Sequence, residues 1–525
     1  MPDTKLSPPP LSDASAANQA TDVYAIYGAE PEVQAYAMAK YSRSALSMRE
    51  SLAELNEQKA EKFLNTFYFQ YGHRSIADLA HVALAVEKLS ILAAVALVDE
   101  QRWDGQERST RYQDYKHATW YTPAFGGNAA AAKTYREAIE FLLAEYQELS
   151  EKMFGFLAAK TPKPSEMKQE AYERTLRARA FDISRYLLPL ATNTSLGQIV
   201  NARTLENQVS RLLSSEYPEI RKLGELLKDA ARNPAYNVND AKLRAIVDEL
   251  KLENPELAQE AGDLLLKPVR VSPTLVKYAD ASRCEIDTRS ELRQAAAELM
   301  KNAAIEAAPL VDLLDPEPLE IELATTLLYG ACHYPYRQIR HAVEALSAMR
   351  RQEIIELGWK NRGAHDEMAR AYCAGQQFRF DILEDIGGFR DMHRHRRCIQ
   401  IGQDFTLDHG YDTPAEVEQA GLLTQYEAAM ARPRQAAEEI RSRVADDAAL
   451  ETAYLLPLAY RKRTLFKMDF AEAVYISELR SGAAGHISYR RVAYEMYKAV
   501  AERYPSLAGC FRVTDVNEPV DLLKR

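Results

Sequence analysis

Two tandem modules of one largely helical fold are what this sequence predicts, and three observations predict it. The phrase Leu-Leu-Pro-Leu-Ala occurs twice, at residues 187–191 and 455–459. Each copy follows a segment of amphipathic helical spacing and precedes one that carries arginines, in a similar place in its half of the chain. A chain of 525 residues also exceeds one typical core, so two domains of about 250 residues are the natural division.

Residues 1–22 are rich in Pro, Ser, Ala and Asp, lack the apolar core of a signal peptide and predict a disordered tail. Copy one spans 23–233. Within it 33–57 and 76–98 have helical apolar spacing, the second through Leu79, Val82, Val86, Leu89 and Val95. A polar, irregular stretch follows at 99–121. An acidic helical insert is predicted at about 130–164, broken by Pro162 and Pro164. The phrase then leads into a helix over 202–213. Residues 234–271, with several prolines and mixed charge, predict a linker with peripheral helices. Copy two spans 272–525. There 320–348 resembles the first long segment, 366–387 the second, 390–411 the polar stretch, and 455 onward the phrase and arginine helix. The acidic insert is predicted to have no counterpart. The repeat period is therefore a domain, not a solenoid unit.

With 47% hydrophobic and 27% charged residues the composition is that of a globular protein. A net charge of −10 argues against a general nucleic-acid or anionic-membrane binder, though not against a local basic site. The longest uncharged apolar run, 89–98, is far short of the roughly 20 residues that span a bilayer. Five scattered cysteines without a Cys-x-x-Cys fit a reducing cytoplasm, with neither a disulfide framework nor a zinc site.

Copy one carries Gln106-Glu107-Arg108-Ser109-Thr110-Arg111-Tyr112. In an extended segment Glu107, Ser109 and Arg111 alternate onto one side. Ser with Arg grips phosphate, because the guanidinium fork makes two charge-assisted hydrogen bonds. The plainer reading is a solvated loop with one internal Glu–Arg pair. Arg185 precedes the phrase, and Asn201, Arg203 and Arg211 follow it. Asn201 also reads as a helix N-cap, and Arg211 as part of a solvated face. His73 and Ser75, in Gly72-His73-Arg74-Ser75, read singly as a surface side chain and a cap.

Taken in order, Gly-His-x-Ser, Glu-x-Ser-x-Arg-Tyr, Arg-x-x-Leu-Pro-Leu, Asn-Ala-Arg, a later Arg, and Glu219-Ile220-Arg221 resemble a flavin-dependent thymidylate synthase. The resemblance implies an α+β fold, two modules that are largely helical with a small central sheet each. It departs from the family at one point. The family's Arg-His-Arg, which helps hold the flavin, falls on Asp99, Glu100 and Gln101, and its Asn on Gln106. Copy two supplies the missing element as Arg394-His395-Arg396. Conversely, Gly402, Asp404, Thr406 and Leu407 of copy two do not match Glu, Ser, Arg and Tyr. Ala453 stands where copy one has Arg185, Asp469 and Ala471 where it has Asn201 and Arg203, and only Arg480 and Arg490 keep their arginines. His393-x-His395 has no cluster of carboxylates or thiols close in sequence to complete a metal site, so an anion-binding patch is preferred and no metal is expected.

The resemblance implies FAD as cofactor, with NADPH and methylenetetrahydrofolate as co-substrates in the methylation of dUMP. Arg211 would polarise the pyrimidine, matched by deleting one residue from the preceding helix turn. Arg185, Ser109 and Arg111 would bind dUMP. His73, Ser75, Glu107, Asn201 and Arg203, with Arg394, His395 and Arg396, would surround FAD. The family is a homotetramer with sites built from several subunits. A homodimer of this chain would form an equivalent four-module assembly, each site completed by complementary losses in the two copies. Ala331-Cys332-His333 lacks the surroundings of the nucleophile that a folate-only thymidylate synthase needs. Dinucleotide and P-loop glycine motifs are absent too. Three classes stay open: a thymidylate synthase, a flavoenzyme of the same fold acting on another nucleotide, and a non-catalytic homologue that binds nucleotide or flavin.

Overall fold

The two repeated phrases lie against each other, antiparallel. In the computed structural model, which describes residues 28–40, 74–363, 366, 368–519 and 521–523, Pro189 pairs with Pro457. Leu190 N donates to Leu456 O at 2.9 Å, and Leu458 N to Leu188 O at 3.0 Å. Ala191 N donates to Tyr454 O at 2.9 Å, and Ala459 N to Tyr186 O at 3.1 Å. Every bond recurs with the copies exchanged, so the contact lies on a pseudo-two-fold axis relating the modules. The prolines occupy the centre at no cost in donors, because the flanking residues make the bonds.

In the first module β1 (His81–Ser90), β2 (Asp104–Glu107) and β3 (Asn193–Asn201) form an antiparallel sheet of order β1-β3-β2. In the second, β4 (Val311–Leu313), β5 (Phe378–Asp385), β6 (Ile399–Gly402) and β7 (Arg461–Met468) form one of order β4-β5-β7-β6. The shared part is the same in both, a central strand that follows the phrase and a neighbour that ends in a capped helix. Ser90 caps the helix Ile91–Val98, and Asp385 caps the helix Ile386–Met392. The first N–H groups of both helices donate to the phrase: Ile91 to Thr192 O and Leu92 to Leu190 O, Ile386 to Tyr460 O and Gly387 to Leu458 O. Orphan helix donors are thereby satisfied by the dyad segment itself. The result is the expected α+β architecture of two tandem modules.

Residues 76–98 are not one helix. They form a 3₁₀ turn, the strand β1 and a short helix. Val82, Leu84 and Val86 alternate with His81, Ala83 and Ala85, a period of two that pairing with β3 selects over the helical spacing. Copy two repeats this in β5. The segments 193–201 and 461–468 are likewise strands that precede the arginine helices Ala202–Leu213 and Phe470–Ser481. The acidic helix, Ala129–Lys160, also has a counterpart, Leu423–Arg441, so it is no insertion peculiar to copy one. The two pack antiparallel, with Thr134 Oγ1 donating to Glu439 Oε1 at 2.9 Å and Gln425 Nε2 to Glu145 Oε2 at 2.7 Å. Tyr135 and Tyr426 play one role, donating to Tyr121 O and Asp412 O at 2.8 and 2.7 Å. Between the modules the helices Asp240–Glu253 and Pro255–Leu265 form an exposed pair closed by a bridge from Pro234 to Arg270. Of the helix expected over 33–57, Pro31–Lys40 is described; the rest, His73 and the tail lie outside the described residues.

Leu188 and Leu456 are fully buried beside the axis. Leu188→Ala and Leu456→Ala should each lower stability by about 2–5 kcal/mol, because neighbours on a backbone bridge relax little into a cavity. Urea unfolding checks this, and a loss under about 1 kcal/mol for either would show that the phrases are not part of the folding unit.

A composite candidate active site between the modules

The chain after β2 turns inward. Glu107 still pairs in the sheet, opposite Leu196, but Ser109 Oγ accepts from Arg111 N at 3.1 Å and closes a turn. Arg111 therefore does not continue the strand alternation that would place it beside Glu107. Its guanidinium forks onto Asp182, Nε to Oδ1 at 2.7 Å and Nη2 to Oδ2 at 3.2 Å. Nη1 donates to the Tyr489 hydroxyl of the second module at 2.9 Å, and Nη2 to Ala484 O at 3.2 Å. Burial works against the Arg111 charge, but the Asp182 carboxylate outweighs it and fixes the protonated form.

Arg185 follows Asp182 by one helical turn and is 2% exposed. Nη1 reaches Thr110 Oγ1 at 3.5 Å and lies 4.0 Å from Asp391 Oδ2, on the second module's helix Ile386–Met392. Nε and Nη2 have no hydrogen-bond partner among the described residues. A buried guanidinium with two unused donors is costly unless something else accepts them. The second module closes the site further. Arg480 stands 5.6 Å from the centroid of the same Tyr489 ring, with Nε donating to His395 Nε2 at 2.8 Å. His395 is thus an acceptor there, and burial pushes its pKa down, in keeping with a neutral ring. Arg396 stacks on Trp103 of the first module, 4.5 Å from the ring centroid, and its Nε is buried without a partner among the described residues. Arg390 pairs with Glu107. Arg394 is exposed beside them. Ser109, Arg111, Arg185 and Glu107 of copy one thus share one place with Arg390, Arg394, His395, Arg396 and Arg480 of copy two.

The pseudo-two-fold axis generates a mate of this site, and there the residues differ. Asp99 and Glu100 replace Arg394 and His395, while Gly402, Asp404, Thr406 and Ala453 replace Glu107, Ser109, Arg111 and Arg185. A cavity of about 300 Å³ occupies the place, lined among others by Arg211, Asp99, Asp404 and Lys462. Arg211 Nε donates to Glu100 Oε1 at 3.0 Å, the counterpart of the Arg480–His395 bond. Arg211 is therefore not gathered with Ser109, Arg111 and Arg185. The arginine beside them is Arg480, because the axis hands each module's arginine helix to the other module's loop. Although burial alone would raise it, Arg370 and His393 hold the Asp99 carboxyl well below its usual range.

The remaining expected residues lie elsewhere. Asn201 Oδ1 accepts from Thr204 N at 2.8 Å, the plain capping role. Arg203 Nη1 is 3.3 Å from Asp78, on the 3₁₀ turn that also bears the exposed Ser75. Copy two's counterpart of Asn201, Asp469, receives Arg397 Nη2 at 3.1 Å. Asn201 and Arg203 thus belong with Ser75 in the first module, while in the second Asp469 joins Arg397, the residue after the Arg-His-Arg segment. Asp182, Asp391 and Tyr489 escaped the sequence reading. Asp182, one turn before Arg185, carried a signal in that spacing; Tyr489 carried none. Among the described residues no group of three or more His, Cys, Asp or Glu is placed to hold a metal, and no helix is long and apolar enough to cross a membrane.

Asp182→Ala should cost about 3–5 kcal/mol, since it strands the Arg111 charge in the interior; chemical denaturation measures it, and a near-neutral effect would mean Arg111 is solvated. Asp385 gives a pH signature. Burial, aided by Asp412, pushes its pKa up to about 6. With an unfolded value near 3.9, this group's stabilisation is full below about pH 4 and is lost as pH rises through 6, by about 3 kcal/mol. Asp385→Asn keeps the cap, and the fall in urea midpoint between pH 4 and 6 should flatten; equal slopes would contradict it.

The family model described as thymidylate synthase complementing protein matches residues 25–234 and 335–506. A UPF0159 protein of Chlamydia pneumoniae is 26% identical over 542 residues, 96% of this chain and 94% of its own length. One from Chlamydia muridarum is also 26% identical, covering 95% and 93%. A flavin-dependent thymidylate synthase of Clostridium tetani is 26% identical over 214 residues, 40% of this chain and 82% of its own. Among solved structures, the flavin-dependent thymidylate synthase of Helicobacter pylori complexed with FAD and dUMP is 16% identical, with a TM-score of 0.24, covering 38% of this chain and 89% of that one.

Proposed function

Because the chain belongs to the thymidylate synthase complementing protein family, we propose that it methylates dUMP to dTMP in a flavin-dependent reaction at the composite site. The observation that carries this reading is Arg185. It is buried, has two unused donors and reaches Thr110, between Ser109 and Arg111, and Arg111 shares Tyr489 with Arg480, which holds His395 of the Arg-His-Arg segment.

Ser109, Arg111 and Arg185 bind the nucleotide, the unused Nε and Nη2 of Arg185 taking its phosphate while Arg111, its fork held by Asp182, offers only the remaining Nη1 hydrogen. Arg480, rather than Arg211, faces the pyrimidine and stabilises the charge that builds on the ring as a bond forms at C5. Its own charge persists despite burial, since a guanidinium does not deprotonate in proteins. The donor set fits a flavin dinucleotide: exposed Arg394 and the unpartnered Nε of Arg396 suit a pyrophosphate, with His395 fixed between them by Arg480. FAD bound there would carry reducing equivalents from NADPH, and methylenetetrahydrofolate would supply the carbon. Glu107 holds Arg390 and so orients this segment. The set His73, Ser75, Asn201 and Arg203 is assigned to the flavin half supplied across a homodimer of four modules, which gives one kind of site per chain.

One observation favours a different nucleotide. Glu384, Asp385 and Asp391 stand in copy two where copy one has Leu89, Ser90 and Ala96, and Glu384 is 1% exposed with both oxygens unpartnered among the described residues. That makes one wall of the site acidic. Rescue of a thymidine-requiring host decides between the two readings, since another substrate would not rescue it.

The purified protein should show flavin absorbance, which Arg396→Ala should bleach. Arg480→Ala should lower turnover by about 10²–10³-fold with flavin retained, while Arg211→Ala stays within a few-fold of the parent. If Arg211→Ala is the inactive variant and Arg480→Ala turns over normally, the pyrimidine belongs in the mate cavity and the assignment is overturned.

A further inference from the structure

The mate of the composite site has lost its phosphate grip but kept a built interior. We propose that this cavity is a second, unequal ligand site that takes an unphosphorylated pyrimidine nucleoside. The choice of a pyrimidine rests on the reading of the composite site; the rest stands on the cavity.

Its size, about 300 Å³, is at the lower end of small-ligand sites, which suits a nucleoside better than a dinucleotide. Phe389, Phe405 and Tyr217 line it, giving a planar ring aromatic walls. Unused polar groups converge on the same space. Gln403 is 1% exposed, its Nε2 spent on Tyr334 O, and its Oε1 has no partner among the described residues. His393 Nδ1 donates to Gln400 Oε1 at 2.8 Å, so Nε2 of the ring, which burial keeps neutral, is an acceptor; it makes no hydrogen bond among the described residues and lies 3.8 Å from Asp99. Lys462 is 6% exposed, with its ammonium against the Gln403 carbonyl and 4.1 Å from the centroid of Phe405. The Gln403 Oε1 acceptor and the Lys462 ammonium donor match the N–H and C=O edge of a pyrimidine.

A phosphate has no place here. Where the composite site has Ser109, the cavity is lined by Asp404, and Thr406 and Ala453, which replace Arg111 and Arg185 in sequence, bring no cation to it. Each lining arginine faces a carboxylate. Arg211 lies 2.9 Å from Glu100, although its Nη2 makes no hydrogen bond among the described residues, Arg289 lies 3.9 Å from Glu285, and Arg293 is 2.6 Å from Glu216 and 2.8 Å from Asp404. Lys462 faces the carboxylates of Asp99 and Asp404, so the cavity is close to neutral, and a phosphate dianion entering it would meet Asp404. Lys462 itself stands where the first module has Thr194, so the composite site holds no equivalent cation.

The test is equilibrium dialysis of labelled deoxyuridine against the full chain, with dUMP as competitor. The expected result is about one deoxyuridine per chain that saturating dUMP does not displace. Affinity should be unchanged in Arg185→Ala and about tenfold or more weaker in Lys462→Met. Ala96→Phe, which fills the cavity from the other module, gives the same loss and serves if Lys462→Met fails to fold. The inference is overturned if deoxyuridine is displaced one-for-one by dUMP and lost in Arg185→Ala, because the nucleoside then occupies the composite site. It is equally overturned if no deoxyuridine binds. Should dUMP fail to bind while Lys462-dependent deoxyuridine binding persists, the proposed function falls and this inference stands.

Discussion

The backbone pairing of two identical phrases at Pro189 and Pro457 is the constraint on which the rest of the structure depends. It fixes a pseudo-two-fold axis, and other carbonyls of the same two segments, those of Leu190, Thr192, Leu458 and Tyr460, receive the first N–H groups of the helices after β1 and β5. Each helix start, each central strand and each loop after a second strand is placed by reference to that segment. Because the axis passes between the modules, a loop from one meets the arginine helix of the other. Every functional place in the chain is therefore an interface.

Such an interface has to settle its charges. Arginines carried into a low-dielectric boundary need carboxylates or neutral acceptors facing them. The two mates meet that need differently. Around Arg211 the partner is Glu100, and an ion pair closes the guanidinium off; around Arg480 it is His395, a neutral acceptor, and the facing charge is the Asp391 carboxylate. A similar exchange occurs deeper in the fold. In copy one the cap Ser90 meets Glu219, and in copy two the cap Asp385 meets Ser488. The hydroxyl and carboxylate have swapped sides while the contact persists. The differences between the two modules are thus constrained by pairs rather than by single residues, and they make the two places unequal without disturbing the fold.

The sequence was most legible where a local signal has one physical meaning. Asn201 before an apolar-periodic run is an N-cap, and the helix it starts runs over Ala202–Leu213 as the spacing predicts. It was least legible where two periodicities coincide. Val82 and Val86 fit a helix face as well as a strand face, and the choice fell to pairing with β3, more than a hundred residues away. The acidic helix escaped comparison between the copies because Ala129–Lys160 and Leu423–Arg441 differ in length and composition, although they pack on each other.

The sequence by itself determined that there are two modules, which residues align between them, and which sets each copy has kept. These follow from the order and spacing of side chains, properties that need no third dimension. Only the tertiary structure decided which sets meet. Arg211 and Arg480 are equivalent in sequence, and nothing local distinguishes the one that reaches Arg111 and Arg185. The repeated phrase supplied the alignment in one dimension. The antiparallel pairing of its two copies, a property of backbone geometry rather than of any side chain, turned that alignment into an axis and sent each arginine to the opposite module.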